Sequence, residues 1–172
     1  GKNLSSDTFS TIGEQRSTNY AVAPMSKDDF IAVVTDGQTA PPAYFSFDAA
    51  KNRENRDILD ETAAPVAMNV AGVIAQQVRG AIVLDTRDPN EFAVGHLVGS
   101  VNIGLGGRYA EFAGGVIQPG APIVLVAEPG VELEAKNRLA RIGFDEVVGF
   151  LADPPRAFAE HPDAVTQSSR VD

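Results

Sequence analysis

Asp85-Thr86-Arg87-Asp88-Pro89-Asn90-Glu91-Phe92-Ala93-Val94-Gly95-His96-Leu97-Val98-Gly99-Ser100-Val101-Asn102-Ile103 is the stretch that decides the fold of this chain. It follows Ala81-Ile82-Val83-Leu84, a near-continuous apolar run of the kind found in a strand covered on both faces. Asp88-Pro89-Asn90-Glu91 then starts a helix. Asp88 caps it, Pro89 takes the first helical position, where a missing N–H costs nothing, and Glu91 closes a capping-box arrangement. Gly95 ends this helix, and Val98 to Ile103 reads as the next strand. Strand, short helix and strand in succession call for a βαβ unit and a parallel sheet.

The same alternation extends in both directions. Upstream, Val70 to Val78 reads as a helix stopped by Gly80. Downstream, Gly104, Gly106 and Gly107 open a loop, and Arg108 to Ala113 is helical. Pro122 precedes Ile123-Val124-Leu125-Val126-Ala127, the most strand-like segment of the chain. Glu128-Pro129-Gly130 is the turn after it. Val131 to Ile142 is the following helix, with Ala135, Leu139 and Ile142 as its buried stripe and Gly143 as its C-terminal cap. Val147-Val148-Gly149-Phe150 is a final strand, and beyond Asp153-Pro154-Pro155 the chain reads as a linker. The expected class is α/β: an open sheet of mainly parallel strands with helices on both faces.

Residues 1–62 have a different texture, polar and irregular, with one clear helix. Ser26 caps Lys27 to Val34, with Asp29 at the third position near the positive helix end. Phe30, Val33 and Val34 form its apolar face, Gly37 follows as a stop, and Pro41-Pro42 blocks further helix. Asp48 to Asp60 is charge-rich and expected on the surface. This irregular helical segment is too thinly apolar for an independent domain and reads as a leftover of something larger.

Composition narrows the function. Apolar residues make up 44 % and charged residues 22 %, an ordinary balance for a globular protein. Lys and Arg number 14 against 23 Asp and Glu, a formal charge of −9. That argues against nucleic acid or an anionic membrane as partner, because phosphate contacts need clustered basic side chains. No apolar run approaches the roughly 20 residues that cross a bilayer. There is no cysteine, hence no disulfide, thiolate metal site or persulfide carried by this chain. The only histidines, His96 and His161, are isolated, and no Asp-x-Asp-x-Asp-Gly loop occurs, so neither metal nor cofactor is expected. Gly104-Leu105-Gly106-Gly107 lacks the context of a nucleotide loop. The chain starts at Gly1 without methionine, as a processed or excised fragment would, and a cytoplasmic setting is the default.

The stretch from Asp85 resembles the conserved segment of rhodanese (sulfurtransferase) domains, in which Asp-x-Arg after a strand leads to Glu-Phe, Gly-His and Gly-Ser-x-Asn. The resemblance implies a rhodanese-like sheet and a nucleophilic cysteine directly after a central strand, in a loop of pattern Cys-x-x-Gly-x-Arg. Backbone amides, a helix N-terminus and a basic side chain there stabilise a thiolate or persulfide. Aligned on the strand at Ile123 to Val126 and on Gly130, Ala127 takes the cysteine position and Glu132 the arginine position. The loop Ala127, Glu128, Pro129, Gly130, Val131, Glu132 therefore lacks both the nucleophile and its anion-stabilising charge. Carboxylates there would repel thiosulfate by about 1 kcal/mol at roughly 4 Å in water. A single Cys-to-Ala replacement would leave Glu128 and Glu132 unexplained, so the loop reads as naturally degenerate. The signature residues Asp85, Arg87, Glu91, His96 and Asn102 are then expected to be structural.

More widely, the chain looks like the rhodanese-like module behind a metallo-β-lactamase-fold hydrolase, in fusions related to persulfide dioxygenase and glyoxalase II. Gly1 to Leu4, Ser10 to Arg16 and Met25 to Phe30 resemble the tail of such a hydrolase, and Pro42 to Arg53 its connecting segment. The resemblance implies a hydrolase tail and connector over 1–62, a rhodanese-like domain over 63–155 and a linker over 156–172, to which a second rhodanese domain can be joined. The implied partner is the rest of the parent protein, and a homo-oligomer stays open.

Three functions stay open on these residues. The first is a non-catalytic module serving interdomain or protein interfaces or substrate presentation. The second is a thiol-independent enzyme using Asp85 and His96, which needs both groups in one open pocket. The third is a domain that binds a cationic or neutral ligand through Glu128 and Glu132.

Overall fold

Leu84, Ile123 and Leu125 point to one face of a parallel sheet, and their strand neighbours Val83, Val124 and Val126 to the other. All six are fully shielded from water, which is why these two strands carry no polar alternation. The computed structural model describes residues 7–38, 40–55 and 59–169, and the chain divides into two compact units, Gly1–Ala40 and Pro41–Asp172.

The first unit holds α1 (Ile12–Thr18), a 3-10 turn at Tyr20–Val22 and α2 (Lys27–Thr35). Ser26 caps α2 as expected: its hydroxyl accepts from the Asp29 amide at 3.1 Å and donates to the Asp29 carboxylate at 2.7 Å. Neither helix buries a residue, and Phe30, Ile31 and Val33 on α2 remain exposed.

The second unit runs α3 (Phe45–Lys51), β1 (Ala67–Met68), α4 (Val70–Val78), β2 (Ile82–Asp85), α5 (Pro89–Val94), β3 (His96–Leu97), β4 (Val101–Asn102), α6 (Tyr109–Val116), β5 (Ile123–Val126), α7 (Glu132–Ala140), β6 (Val147–Leu151), α8 (Pro154–Glu160), a 3-10 turn at Pro162–Ala164 and β7 (Val165–Thr166). The main sheet has the order β1-β6-β5-β2-β4, with every pairing parallel. One face is packed by Tyr109 and Ala113 of α6 and by Ala135 and Leu139 of α7; the other by Val70 and Val73 of α4 and by Ala157 of α8. This is the α/β architecture that the residue pattern requires.

Two local readings change. The expected strand from Val98 to Ile103 is shortened to β4, because Gly99 adopts φ 78° and Ser100 turns back to bond the Leu97 carbonyl through both amide and hydroxyl. The expected linker after Asp153-Pro154-Pro155 instead forms α8, capped by the Asp153 side chain, and then β7, which pairs antiparallel with β3. The physical reason is burial: Pro154 and Ala157 are covered, and Ala157 and Val165 close the α4 side of the core. The Asp153-Pro154 pair is the same helix start as Asp88-Pro89, so a signal was present in the residues.

Residues 41–55 and 59–63 pack onto the sheet domain. Tyr44 is buried in the α6 side of the core, Phe47 packs against it, and Lys51 pairs with Asp145 at 3.2 Å. Lys136, buried on α7, donates to the carbonyls of Asp60 at 2.8 Å and Ala63 at 2.6 Å, while Asn137 donates to the Glu61 carbonyl at 2.8 Å. A buried ammonium needs such partners.

Candidate functional site

Strands β2 and β5 are neighbours and parallel, so the loops that leave their carboxyl ends lie side by side, where open α/β sheets gather their reactive groups. Asp85, at the end of β2, is fully buried and receives the Arg87 amide at 3.0 Å, Arg87 Nε at 3.0 and 3.2 Å, and Arg87 Nη2 at 2.6 Å. Arg87 Nη2 also donates to the Gly95 carbonyl at 2.9 Å, and its guanidinium lies 4.8 Å from the centre of the Phe158 ring. Asn102 Nδ2 donates to the carbonyls of Asp85 at 2.9 Å and Arg87 at 3.1 Å. His96 is buried; its Nδ1–H donates to the Phe92 carbonyl at 2.7 Å, and its ring stacks on Phe92 with centroids 3.7 Å apart. These four side chains are spent on one another and on backbone carbonyls, tying the ends of β2, α5 and β4 together.

Glu91 behaves differently. The cap of α5 is made locally, by Asp88 accepting from the Asn90 amide at 2.7 Å and from Asn90 Nδ2 at 2.9 Å. Glu91 instead lines a cleft that Glu128 also lines. The Glu128 carboxyl is held above the usual carboxylate range, first by hydrogen bonding to Glu91, then by desolvation and by the Glu91 charge, with Arg87 acting in the opposite direction.

The loop after β5 forms the other wall. Ala127 is buried at its root, and Gly130 adopts φ 90°, a left-handed turn that favours glycine. The Gly130 amide donates to Glu132 Oε2 at 2.9 Å, so the carboxylate at the start of α7 is bound within its own loop. Glu132 does not line the cleft that Glu128 lines.

That cleft has a volume of about 630 Å³. Its polar groups are Arg87, Asn90, Glu91 and Glu128; Ala127 and Gly95 lie at its base, and Val94, Pro129, Pro155, Phe158 and Val165 supply apolar surface. A neighbouring hollow of about 530 Å³ lies between Thr86, Pro89, Leu105, Glu128 and Val131. Neither Asp85 nor His96 lines either one. Sequence reasoning identified Ala127 and Glu128 but missed Glu91 as a cleft carboxylate and missed the wall contributed by Pro155, Phe158 and Val165. Among the described residues, no group of three His, Asp or Glu side chains could hold a metal, and no helix is long and apolar enough to cross a membrane.

Residues 71–153 match the family model for the Rhodanese-like domain. Among solved structures, the chain is similar to a metallo-beta-lactamase from Staphylococcus aureus subsp. aureus COL, at 22 % identity and TM-score 0.60, covering 83 % of this chain and 40 % of that one. It is also similar to the Alr3790 protein from Anabaena sp., at 18 % identity and TM-score 0.50, covering 58 % and 92 % of the two chains. A third similarity is to EanB, at 13 % identity and TM-score 0.51, covering 63 % and 28 %. At these identities the likeness is one of fold. The chain thus spans 40 % of the length of the staphylococcal protein it matches. No curated protein matches it in sequence. The parallel sheet, the signature side chains gathered at its carboxyl edge and the family match agree: residues 71–153 of this chain are a rhodanese-like domain.

Proposed function

We propose that these residues are a non-catalytic rhodanese-like module of a larger metallo-β-lactamase-fold protein, a hydrolase or persulfide dioxygenase, in which they serve an interdomain interface or present substrate. The observation that carries the reading is the loop after β5. Ala127 stands where the signature calls for a thiol, and Glu132 takes the Gly130 amide that a sulfur anion would need. With no cysteine in the chain, these residues offer no thiol on which a persulfide could form.

Two observations support the larger parent. The similarity to the staphylococcal metallo-beta-lactamase extends over 83 % of the chain, more than residues 41–172 make up, so it reaches into the N-terminal unit. That unit leaves Phe9, Ile12, Phe30, Ile31 and Val33 exposed, apolar side chains that a further packed surface would cover. A thiol-independent enzyme on Asp85 and His96 has less support, because both are already engaged and neither lines either of the two clefts beside the loop after β5.

Incubated with thiosulfate and cyanide, the protein is expected to form thiocyanate no faster than a heat-inactivated control; turnover above that control would overturn the reading. The reading frame upstream of Gly1 is expected to encode a His-x-His-x-Asp-His metal motif, and a start codon placed there instead would refute the fusion.

A further inference from the structure

We propose that the outer face of α4 is a self-association surface, on which α4 of a second copy of this chain packs antiparallel about a two-fold axis. Val70–Val78 carries no charged side chain, although charged residues make up 22 % of the chain. Among the described residues, every other α-helix holds at least one. Val70 and Val73 are buried in the core beneath α4. Ala71, Ile74, Ala75 and Val78 follow the i, i+3, i+4, i+7 spacing of a second helix face, and all four are exposed, Val78 by 82 %. A helix that is apolar on both faces is one that neighbours cover on both. Gln77 Nε2 donates to the Val98 carbonyl at 3.0 Å, which sets Val98, itself exposed, beside the same stripe.

The order of residues along the stripe points to a second copy as the occupant. Small and large side chains alternate: Ala71, Ile74, Ala75, Val78. A two-fold axis between Ile74 and Ala75 sets Ala71 against Val78 of the second copy, and Ile74 against its Ala75. Each large side chain then meets a small one, so the two helices can approach closely and interdigitate. The ends match as well. Arg79 follows α4 and is exposed, and the same rotation carries it to the N-terminal end of the second α4. There Asp153 and Glu160 outnumber Arg156 around a hollow beside Asn69 and Val70. The antiparallel arrangement also places helix ends of opposite dipole sign side by side.

Charge restricts where copies can meet. A chain of formal charge −9 repels itself wherever two acidic surfaces approach, and the α4 stripe lets two copies touch without bringing carboxylates together. The stripe is only about 14 Å long at the helical rise per residue. So small an interface makes a weak dimer, with a dissociation constant on the order of 100 µM. The proposal does not rest on the fate of the thiol, and sulfur transfer by the protein would leave it untouched.

The test is sedimentation equilibrium of the protein from about 10 µM to about 1 mM, a range that brackets such a constant. The average mass is expected to rise from one chain toward two. Ile74→Glu and Ala75→Glu, both at exposed positions, should each weaken association at least tenfold with the circular dichroism spectrum unchanged. Val116→Glu, equally exposed but on α6 across the sheet, should leave it within twofold. The absence of native cysteine allows the register to be read by diamide cross-linking. Ala75→Cys beside the axis should cross-link to itself, and Val78→Cys to Ala71→Cys. Val78→Cys should not cross-link to itself, because antiparallel packing holds its two copies about 10 Å apart along the helix axis, beyond the roughly 7 Å that a disulfide spans. A mass that stays at one chain up to about 1 mM, association unchanged by both α4 variants, or ready self-linking of Val78→Cys would overturn the proposal.

Discussion

The Glu132 carboxylate accepts the Gly130 amide at 2.9 Å, inside the loop where a sulfur anion would need that donor. A helix start and its preceding turn form a ready anion site only while their donors are free. Here the chain supplies its own anion, and Glu128 and Glu91 add negative charge beside it. Restoring a thiol alone should therefore fail to restore a thiolate. In Ala127→Cys the new thiol is expected to titrate at or above the ~8.5 of a free cysteine. Ultraviolet thiolate titration checks this, and a value below about 7.5 would mean that the loop still favours an anion.

Glu128 makes stability depend on pH. Its carboxyl is raised in the folded state, chiefly by Glu91, so the folded protein holds that proton more tightly than the unfolded chain. The contribution favours folding at low pH and is lost as pH rises above the ordinary carboxylate range. Glu128→Gln removes it. The variant should be the more stable of the two at pH 7, with the difference vanishing below the unfolded value of 4.5. Urea unfolding at both pH values measures the sign, and a variant less stable at pH 7 would contradict it.

Arg87 compensates a fully buried carboxylate. Arg87→Met removes the counter-charge of Asp85 and leaves it only the residue-87 amide, which should cost about 3–5 kcal/mol, with Asp85→Asn in the same chain recovering part of the loss. Chemical denaturation of the two variants decides; a loss under about 1 kcal/mol in the single variant would show that the pair is dispensable.

Tyr109 is wholly buried beneath Arg138, and its hydroxyl has no hydrogen-bond partner; burial pushes that hydroxyl well above its ordinary value. It stays protonated and contributes nothing polar to the fold. Tyr109→Phe should match the parent or gain up to about 1 kcal/mol, since an unsatisfied buried group is costly. A clear loss on unfolding would reveal a partner for the hydroxyl.

Gly114 on α6 lies directly under the Tyr44 ring, and a β-carbon built there would clash with Tyr44 Cδ1. Gly114→Ala should destabilise by about 1–3 kcal/mol through overpacking, and by much less in a Tyr44→Ala background. A double-mutant cycle on unfolding tests the coupling, and equal losses in both backgrounds would refute it.

Much of this molecule was legible before any fold was known. The apolar runs at Ile82 to Leu84 and Ile123 to Val126, the Asp88-Pro89 helix start and the stripe of Ala135, Leu139 and Ile142 all act through neighbours a few residues away. Local periodicity and capping govern such elements, so β2, β5, α4, α5 and α7 could be placed from residues alone. The absence of cysteine, and with it of any thiol chemistry in this chain, is likewise a property of composition. The two-residue strands β1, β3 and β7 carry too little period to be read, and each exists because a distant partner supplies its hydrogen bonds.

The site depended on distance along the chain. Glu91 reads locally as a cap, and it becomes a cleft carboxylate only because β2 and β5 pair in parallel and bring Glu128 opposite it. Phe158 and Val165 become cleft walls only because α8 packs back onto the sheet and β7 pairs with β3. Sequence determined the frame, because helix and strand formation is decided by near neighbours. Tertiary structure decided which charges meet, because that is set by the pairing of strands about forty residues apart.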